Sequence, residues 1–272
     1  MVLVHGGAHT GTCFLRTVDG RDGWAHDFVR HGHRVIVPDW PGRGRSGYIP
    51  ENDISGELVC AALAHVIRTQ DAPVILLTHS MSGQFGWKLL EQIPEHIAAI
   101  VAIAPGPPGN MQPEPIVLLD SPEEIRLQFF ANSSVVTIRP DQPFVATVPW
   151  TTHKLIGDGT QFPRELIEMY VASLNPVPPR LLVERSNFRG ASLKITNLAV
   201  IQNKHILLVV GTNDTDHPLD LERATHDWLA AQGAHVGLCY LADFGMTGNG
   251  HMPMLERNST QISDLIESLL VA

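Results

Sequence analysis

The run Val74-Ile-Leu-Leu-Thr78-His79-Ser80-Met81-Ser82-Gly83 carries a block of apolar residues straight into a serine with small neighbours. A serine on a tight strand-to-helix turn holds its Oγ exposed above the sheet edge, where it can act as a nucleophile. Small residues are needed at −2 and +2, because strand and helix backbones come close there. The usual pattern is Gly-x-Ser-x-Gly; Thr78 and Ser82 stand at the glycine positions, and Thr78 is the larger departure. Taken alone, the segment reads equally well as a serine capping the next helix.

A serine nucleophile needs a base, and at such an elbow the partners follow in the order serine, acid, histidine. Gly245-Met-Thr-Gly248-Asn249-Gly250-His251 puts His251 on a Gly-rich loop just before the last helical segment, which singles it out among 14 histidines. The candidate acid is Asp214 in Gly211-Thr-Asn-Asp214-Thr-Asp216-His-Pro218, with Asp216 as the fallback. A buried carboxylate there would hold the imidazole tautomer and stabilise the imidazolium, although Asn-Asp-Thr-Asp is also ordinary turn chemistry. His5-Gly6-Gly7-Ala8 follows the first apolar run. The N–H groups of Gly7 and Ala8, with that of Met81, are the candidate oxyanion hole; a plain Gly-rich turn would look the same.

These residues need a frame that brings them together. Val2–Val4, Arg34–Pro38, Val74–Thr78, Ala98–Ala104, His205–Gly211 and Val236–Leu241 read as strands, several apolar on both faces, as in a parallel sheet covered by helices. Helical patterns over Trp24–His31, Glu57–Thr69, Gly83–Gln92, Asp220–Gln232 and Thr260–Leu270 alternate with them, stopped by Gly32, Pro94 and Gly233. The alternation predicts an α/β fold with a mostly parallel sheet. Residues 105–204 break it: Pro-rich at both ends, with one predicted helix over Arg164–Leu174 and no sheet pattern. They read as a cap inserted over the sheet, with residues 1–104 and 205–272 as the core; a small second domain is the alternative.

With 19 Lys+Arg against 28 Asp+Glu, the net charge is −9. That balance argues against a nucleic-acid or anionic-membrane binder, which needs a basic patch. Hydrophobic residues make up 44%, so a disordered chain is ruled out. The longest apolar runs fall far short of the ~20 residues of a membrane span. Three cysteines cannot build a disulfide framework and point to a reducing, cytoplasmic setting.

His5-Gly-Gly, Pro38-Asp-Trp-Pro-Gly-Arg-Gly-Arg-Ser46, His79-Ser-Met-Ser-Gly83, Gly211-Thr-Asn-Asp214 and Gly248-Asn-Gly-His251 occur in order, and together they resemble an α/β-hydrolase. The resemblance covers the chain except the cap interior. It implies an acid–His–Ser machine for acyl transfer to water, with no metal and no organic cofactor. The Arg-Gly-Arg-Ser and Gly-Asn-Gly-His-Met segments are similar to a subgroup of bacterial and fungal serine esterases. In that subgroup the acid can be a Glu directly after the sixth strand, before Pro-Gly. Here Ile103-Ala104-Pro105-Gly106 carries alanine, natively or by substitution, which leaves Asp214 as the acid. The resemblance also makes Val2–Val4 the family's third strand, so the first two are expected to be absent from these residues. Arg34–Pro38 would then be an edge covered by an N-terminal segment or by a second copy in a homodimer.

The expected substrate is a small ester or lactone, with Phe129, Phe130, Phe144, Trp150, Phe162 and Tyr170 as candidate pocket aromatics. The same machinery would also serve carbon–carbon bond hydrolysis or acyl transfer, and a hydrolase fold kept as a ligand receptor is the non-catalytic alternative. Gly42-Arg-Gly-Arg-Ser-Gly47 spells a dinucleotide-binding pattern, but Tyr48-Ile-Pro50 follows where a helix should open. The pairs His5/His9 and His31/His33 lack the carboxylates or cysteines that would complete a metal site. Asn132, Asn213 and Asn258 open Asn-x-Ser/Thr triplets, which would matter only in a secreted protein.

Overall fold

The computed structural model describes residues 1–129 and 135–270. In chain order the elements are β1 (Val2–Val4), α1 (Thr12–Leu15), α2 (Trp24–Arg30), α3 (Gly56–Arg68), β2 (Val74–His79), α4 (Ser82–Gln92) and β3 (Ile97–Ile103). Then come β4 (Ile116–Asp120), β5 (Ile125–Gln128), β6 (Val136–Ile138), α5 (Val148–Thr151), α6 (Ile167–Ala172) and α7 (Pro179–Arg185). The chain finishes with β7 (His205–Val210), α8 (Leu219–Ala231), β8 (His235–Tyr240) and α9 (Ser259–Leu270).

The main sheet has the order β1-β2-β3-β7-β8, parallel throughout. Alternation along each strand splits its side chains between two cores. Leu76 and Ile100 face a cluster with Val59, Leu63 and Phe85 from α3 and α4; Leu77 and Val101 face another with Trp24, Phe28, Ile262 and Ile266 from α2 and α9. The helices thus bury both faces, and the apolar strand runs follow from that. Ser55 caps α3 by accepting the Leu58 N–H (3.1 Å). The parallel strands all end at one sheet edge, and the loops leaving β1, β2, β7 and β8 carry the chemistry-bearing residues.

Three expectations are corrected. Arg34–Pro38 forms no strand: a single bridge pairs Ile36 with Val2, held by Leu3 N–H to Ile36 O and Ile36 N–H to Met1 O (both 2.9 Å). It lies outside the three-residue β1, where a short ladder leaves little to propagate. The 105–204 segment does contain a sheet, β4-β5-β6, antiparallel. Its signal is hidden because Ile116-Val-Leu-Leu119 is exposed on both faces, so no polar alternation marks β4. The helix predicted over Arg164–Leu174 is shorter, a 3₁₀ turn at Arg164–Leu166 running into α6.

Candidate active site

The turn after β2 is tight: Ser80 has φ of 54°, the left-handed region that costs a non-glycine residue about 1–3 kcal/mol. Neighbouring backbone over-determines it. Ser80 N–H donates to Ile103 O (3.0 Å), and Ser80 O accepts from Gly83 and Gly106 (2.8 Å each). The irregular elbow residues are explained by compensation. Thr78 packs its methyl against Gly86, where an added Cβ would sit 2.9 Å away. Gly83 meets Pro105 and Gly106 so closely that a Cβ would lie 2.6–2.8 Å from them. The glycines needed for close approach have moved into α4. Ser82 meanwhile ties the turn together: its Oγ accepts the His79 N–H (2.8 Å) and lies 2.9 Å from the Val4 carbonyl as donor.

Three loops then converge. Ser80 Oγ lies 2.8 Å from His251 Nε2, and His251 Nδ1 lies 2.7 Å from Asp214 Oδ2. The carboxylate requires the proton on Nδ1, which leaves Nε2 as the acceptor for the serine hydroxyl. Burial works against ionisation of Asp214, but the charge and hydrogen bond of His251 outweigh it and hold the carboxyl below its usual range. Asp214 Oδ1 accepts the N–H groups of Asp216 and His217 (2.9 Å each), fixing the loop. Asp216 faces elsewhere, toward Lys154 and Arg185.

The His5–Ala8 loop lies directly over the serine. A Cβ on Gly6 would fall 2.7 Å from His79 Nδ1 and 2.9 Å from Ser80 Cβ. Ala8 has φ of 62°, which turns the backbone back on itself. Among the described residues, none of the Gly7, Ala8 or Met81 N–H groups donates a hydrogen bond within the protein. Burial keeps the surrounding imidazoles neutral, lowering His5 to about 4 and His9 to about 3. His5 stacks on Trp40 and accepts its backbone N–H (3.2 Å). His9 bridges Gly7 O (2.7 Å) and the Tyr170 hydroxyl (2.8 Å).

The 105–204 segment touches every one of these loops. Asn175 N–H bonds Ala8 O (2.8 Å), Thr160 and Gln161 N–H bond Gly248 O (2.8 and 3.0 Å), and Lys154 and Arg185 hold Asp216. Of the aromatics expected to line a pocket, Phe162 and Tyr170 are core residues packed on each other (5.1 Å). Phe144 packs on Trp150 (4.9 Å), Phe129 is partly exposed, and Phe130 lies outside the described residues, as does Asn132. Asp216, His217 and His251 bring potential metal-ligand atoms within 4.8 Å of one another. Asp216 is already held by Lys154 and Arg185, which a cation there would have to displace, and the two imidazoles are engaged by Glu222 and by Ser80 and Asp214. The Gly42–Gly47 loop opens no helix; Asp39 binds Gly11 N–H and Arg45 there.

One residue that sequence reasoning passed over is Glu256. Its carboxylate accepts the Gly250 N–H (2.6 Å) and the Asn249 side-chain amide, clamping the loop that carries His251. The available signal was a lone acid closing the apolar run Met252-Pro-Met-Leu255. Burial pushes Glu256 up to about 7 despite those donors. Since this folded value exceeds the unfolded one near 4.5, its contribution to stability is full below pH 4.5 and is lost as pH rises through 7. Urea unfolding at pH 5 and pH 8 should therefore show wild type losing on the order of 3 kcal/mol relative to Glu256→Gln across that interval. Equal slopes in the two proteins would contradict this.

A family model described as "Alpha/beta hydrolase family" matches residues 1–265, and the chain belongs to that family. It is 25% identical to a protein called "Probable secreted lipase phiG" from a fungal species, over 98% of this chain and 80% of that one. Among solved structures it is similar to a novel bacterial esterase (TM-score 0.59, 19% identity, 99% of this chain and 79% of that one). It is also similar to an extracellular α/β-hydrolase from a Paenibacillus species (TM-score 0.65, 16% identity, 98% and 97%). A methylesterase from Arabidopsis matches at TM-score 0.63 and 14% identity, over 99% and 98%. These relatives bear the names of a lipase, an esterase and a methylesterase.

Proposed function

We propose that the protein cleaves a carboxylic ester or lactone through an acyl-enzyme on Ser80. The observation that carries this reading is the unbroken chain Ser80–His251–Asp214, at 2.8 and 2.7 Å, beneath a loop of uncommitted N–H groups. In this reading Ser80 Oγ attacks the carbonyl while His251 Nε2 takes its proton, and Asp214 stabilises the resulting imidazolium. The N–H groups of Met81 and Gly7, with Ala8, receive the oxyanion. His251 then protonates the leaving alcohol and activates water to release the acid. A serine nucleophile beside a histidine suits acyl transfer, and the esterase and lipase names of relatives favour an ester over a carbon–carbon bond.

The test is a fluorophosphonate reagent followed by intact-mass and peptide mapping, alongside a panel of esters, lactones and β-diketones. One phosphonyl group on Ser80 together with ester or lactone turnover is expected. Neither label nor turnover, with tight small-ligand binding, would instead establish a receptor. No helix among the described residues is long and apolar enough to cross a membrane. The three cysteines are free and buried, which favours a reducing compartment; the fungal relative is called secreted, and fractionation of the native host decides between them.

A further inference from the structure

Against His251 lies a second imidazole that the proposed chemistry does not use. The His217 ring stacks on that of His251, centroids 5.1 Å apart and planes 23° from parallel. Both of its nitrogens face carboxylates: Nδ1 lies 3.0 Å from Glu222 Oε1, and Nε2 lies 3.6 Å from Asp216 Oδ2. Its backbone N–H donates to Asp214 Oδ1 (2.9 Å), so one residue touches both members of the acid–base pair. His217 and Glu222 are buried, and Glu222 Oε2 has no hydrogen-bond partner among the described residues.

We propose that His217 is a positioning residue of the Ser80 site: clamped by Glu222 and Asp216 and stacked on His251, it fixes the plane of the His251 ring. The inference rests on His251 acting as the base. Two carboxylates at opposite nitrogens suit an imidazolium, which alone can donate from both. Burial opposes the charge on His217, but the Glu222 hydrogen bond with the charges of Asp216, Glu222 and Asp214 prevails and raises its pKa. The other charged groups facing this cluster are Lys154 and Arg185, which sit on Asp216 and offset that carboxylate; buried His79, its ring 4.8 Å from that of His251, is neutral.

Histidine-ring NMR of the free protein reads this directly, through the His251 Nδ1 proton in its bond to Asp214, without any ester being turned over. The variants are His217→Gln, which keeps a donor toward Glu222, and His217→Gln/Glu222→Gln, which replaces the pair by two amides and leaves no buried orphan charge. In both, the His251 Nδ1–H resonance should broaden and exchange with water about tenfold faster than in the parent, because the ring is no longer held in its plane. If the single variant fails to fold, the double variant carries the test. An unchanged resonance in a folded variant overturns the proposal and leaves His217 as packing. Should the resonance change while no ester, lactone or fluorophosphonate reacts, the positioning stands and the hydrolase reading falls. Should esters be hydrolysed, kcat falls in both variants while KM is little changed.

Discussion

Ser80→Ala is expected to lower kcat/KM for an activated ester by about 10⁴–10⁶-fold, while the protein stays folded. The magnitude is that of removing a nucleophile whose partners act only through it. The residual rate would come from the N–H groups of the His5–Ala8 loop and Met81, which still polarise a carbonyl. Folding should be little affected, because the left-handed turn at residue 80 is held by backbone bonds to Ile103, Gly83 and Gly106, and alanine takes that conformation no worse than serine. Steady-state kinetics with a thermal melt on the same sample measure both. A variant turning over within about tenfold of the parent would place the reaction elsewhere.

The second large effect separates two neighbouring aspartates. Asp214→Asn should reduce kcat by about 10⁴-fold. An amide in place of Oδ2 no longer requires the proton on His251 Nδ1, so the ring adopts the tautomer with a proton already on Nε2 and cannot accept one from Ser80. The loop itself should hold, since the amide oxygen still accepts the Asp216 and His217 N–H groups that now bind Oδ1. Asp216→Asn behaves differently. Its carboxylate holds Lys154 and Arg185 rather than His251, so kcat should stay within about tenfold. The loss should appear in stability, on the order of 1–3 kcal/mol from two cations left without their anion. Kinetics and denaturant melts of both variants, run in parallel, decide it. An active Asp214→Asn or an inactive but stable Asp216→Asn would reverse the assignment.

Sequence and structure agree most closely where a local rule suffices. Ser80, His251 and Asp214 were legible because each stands in a loop leaving a strongly apolar strand, and parallel strands deliver such loops to one edge. The same rule located β2, β3, β7 and β8 within a residue or two. Arg34–Pro38 looked like a strand by composition, yet strand formation depends on a neighbour along its whole length, and only Ile36 finds one. The 105–204 sheet was hidden for the opposite reason: β4 is apolar and exposed, so its pattern reports neither a core face nor a solvent face.

The amino-acid order by itself determined the fold class, the buried strands and the three residue types that meet at the strand ends. These follow from hydrophobic periodicity and from the few turns glycine and serine allow. Only the tertiary structure decided which of two aspartates two residues apart faces His251, since a carboxylate's direction depends on what packs around the loop. It also decided that Thr78 is tolerated, because Gly86 lies opposite, and that Glu256, His217 and the 105–204 segment brace the site. Some of those contacts join residues six positions apart, as Glu256 and Gly250, and others residues from distant loops, as Asn175 and Ala8, and no spacing rule encodes either.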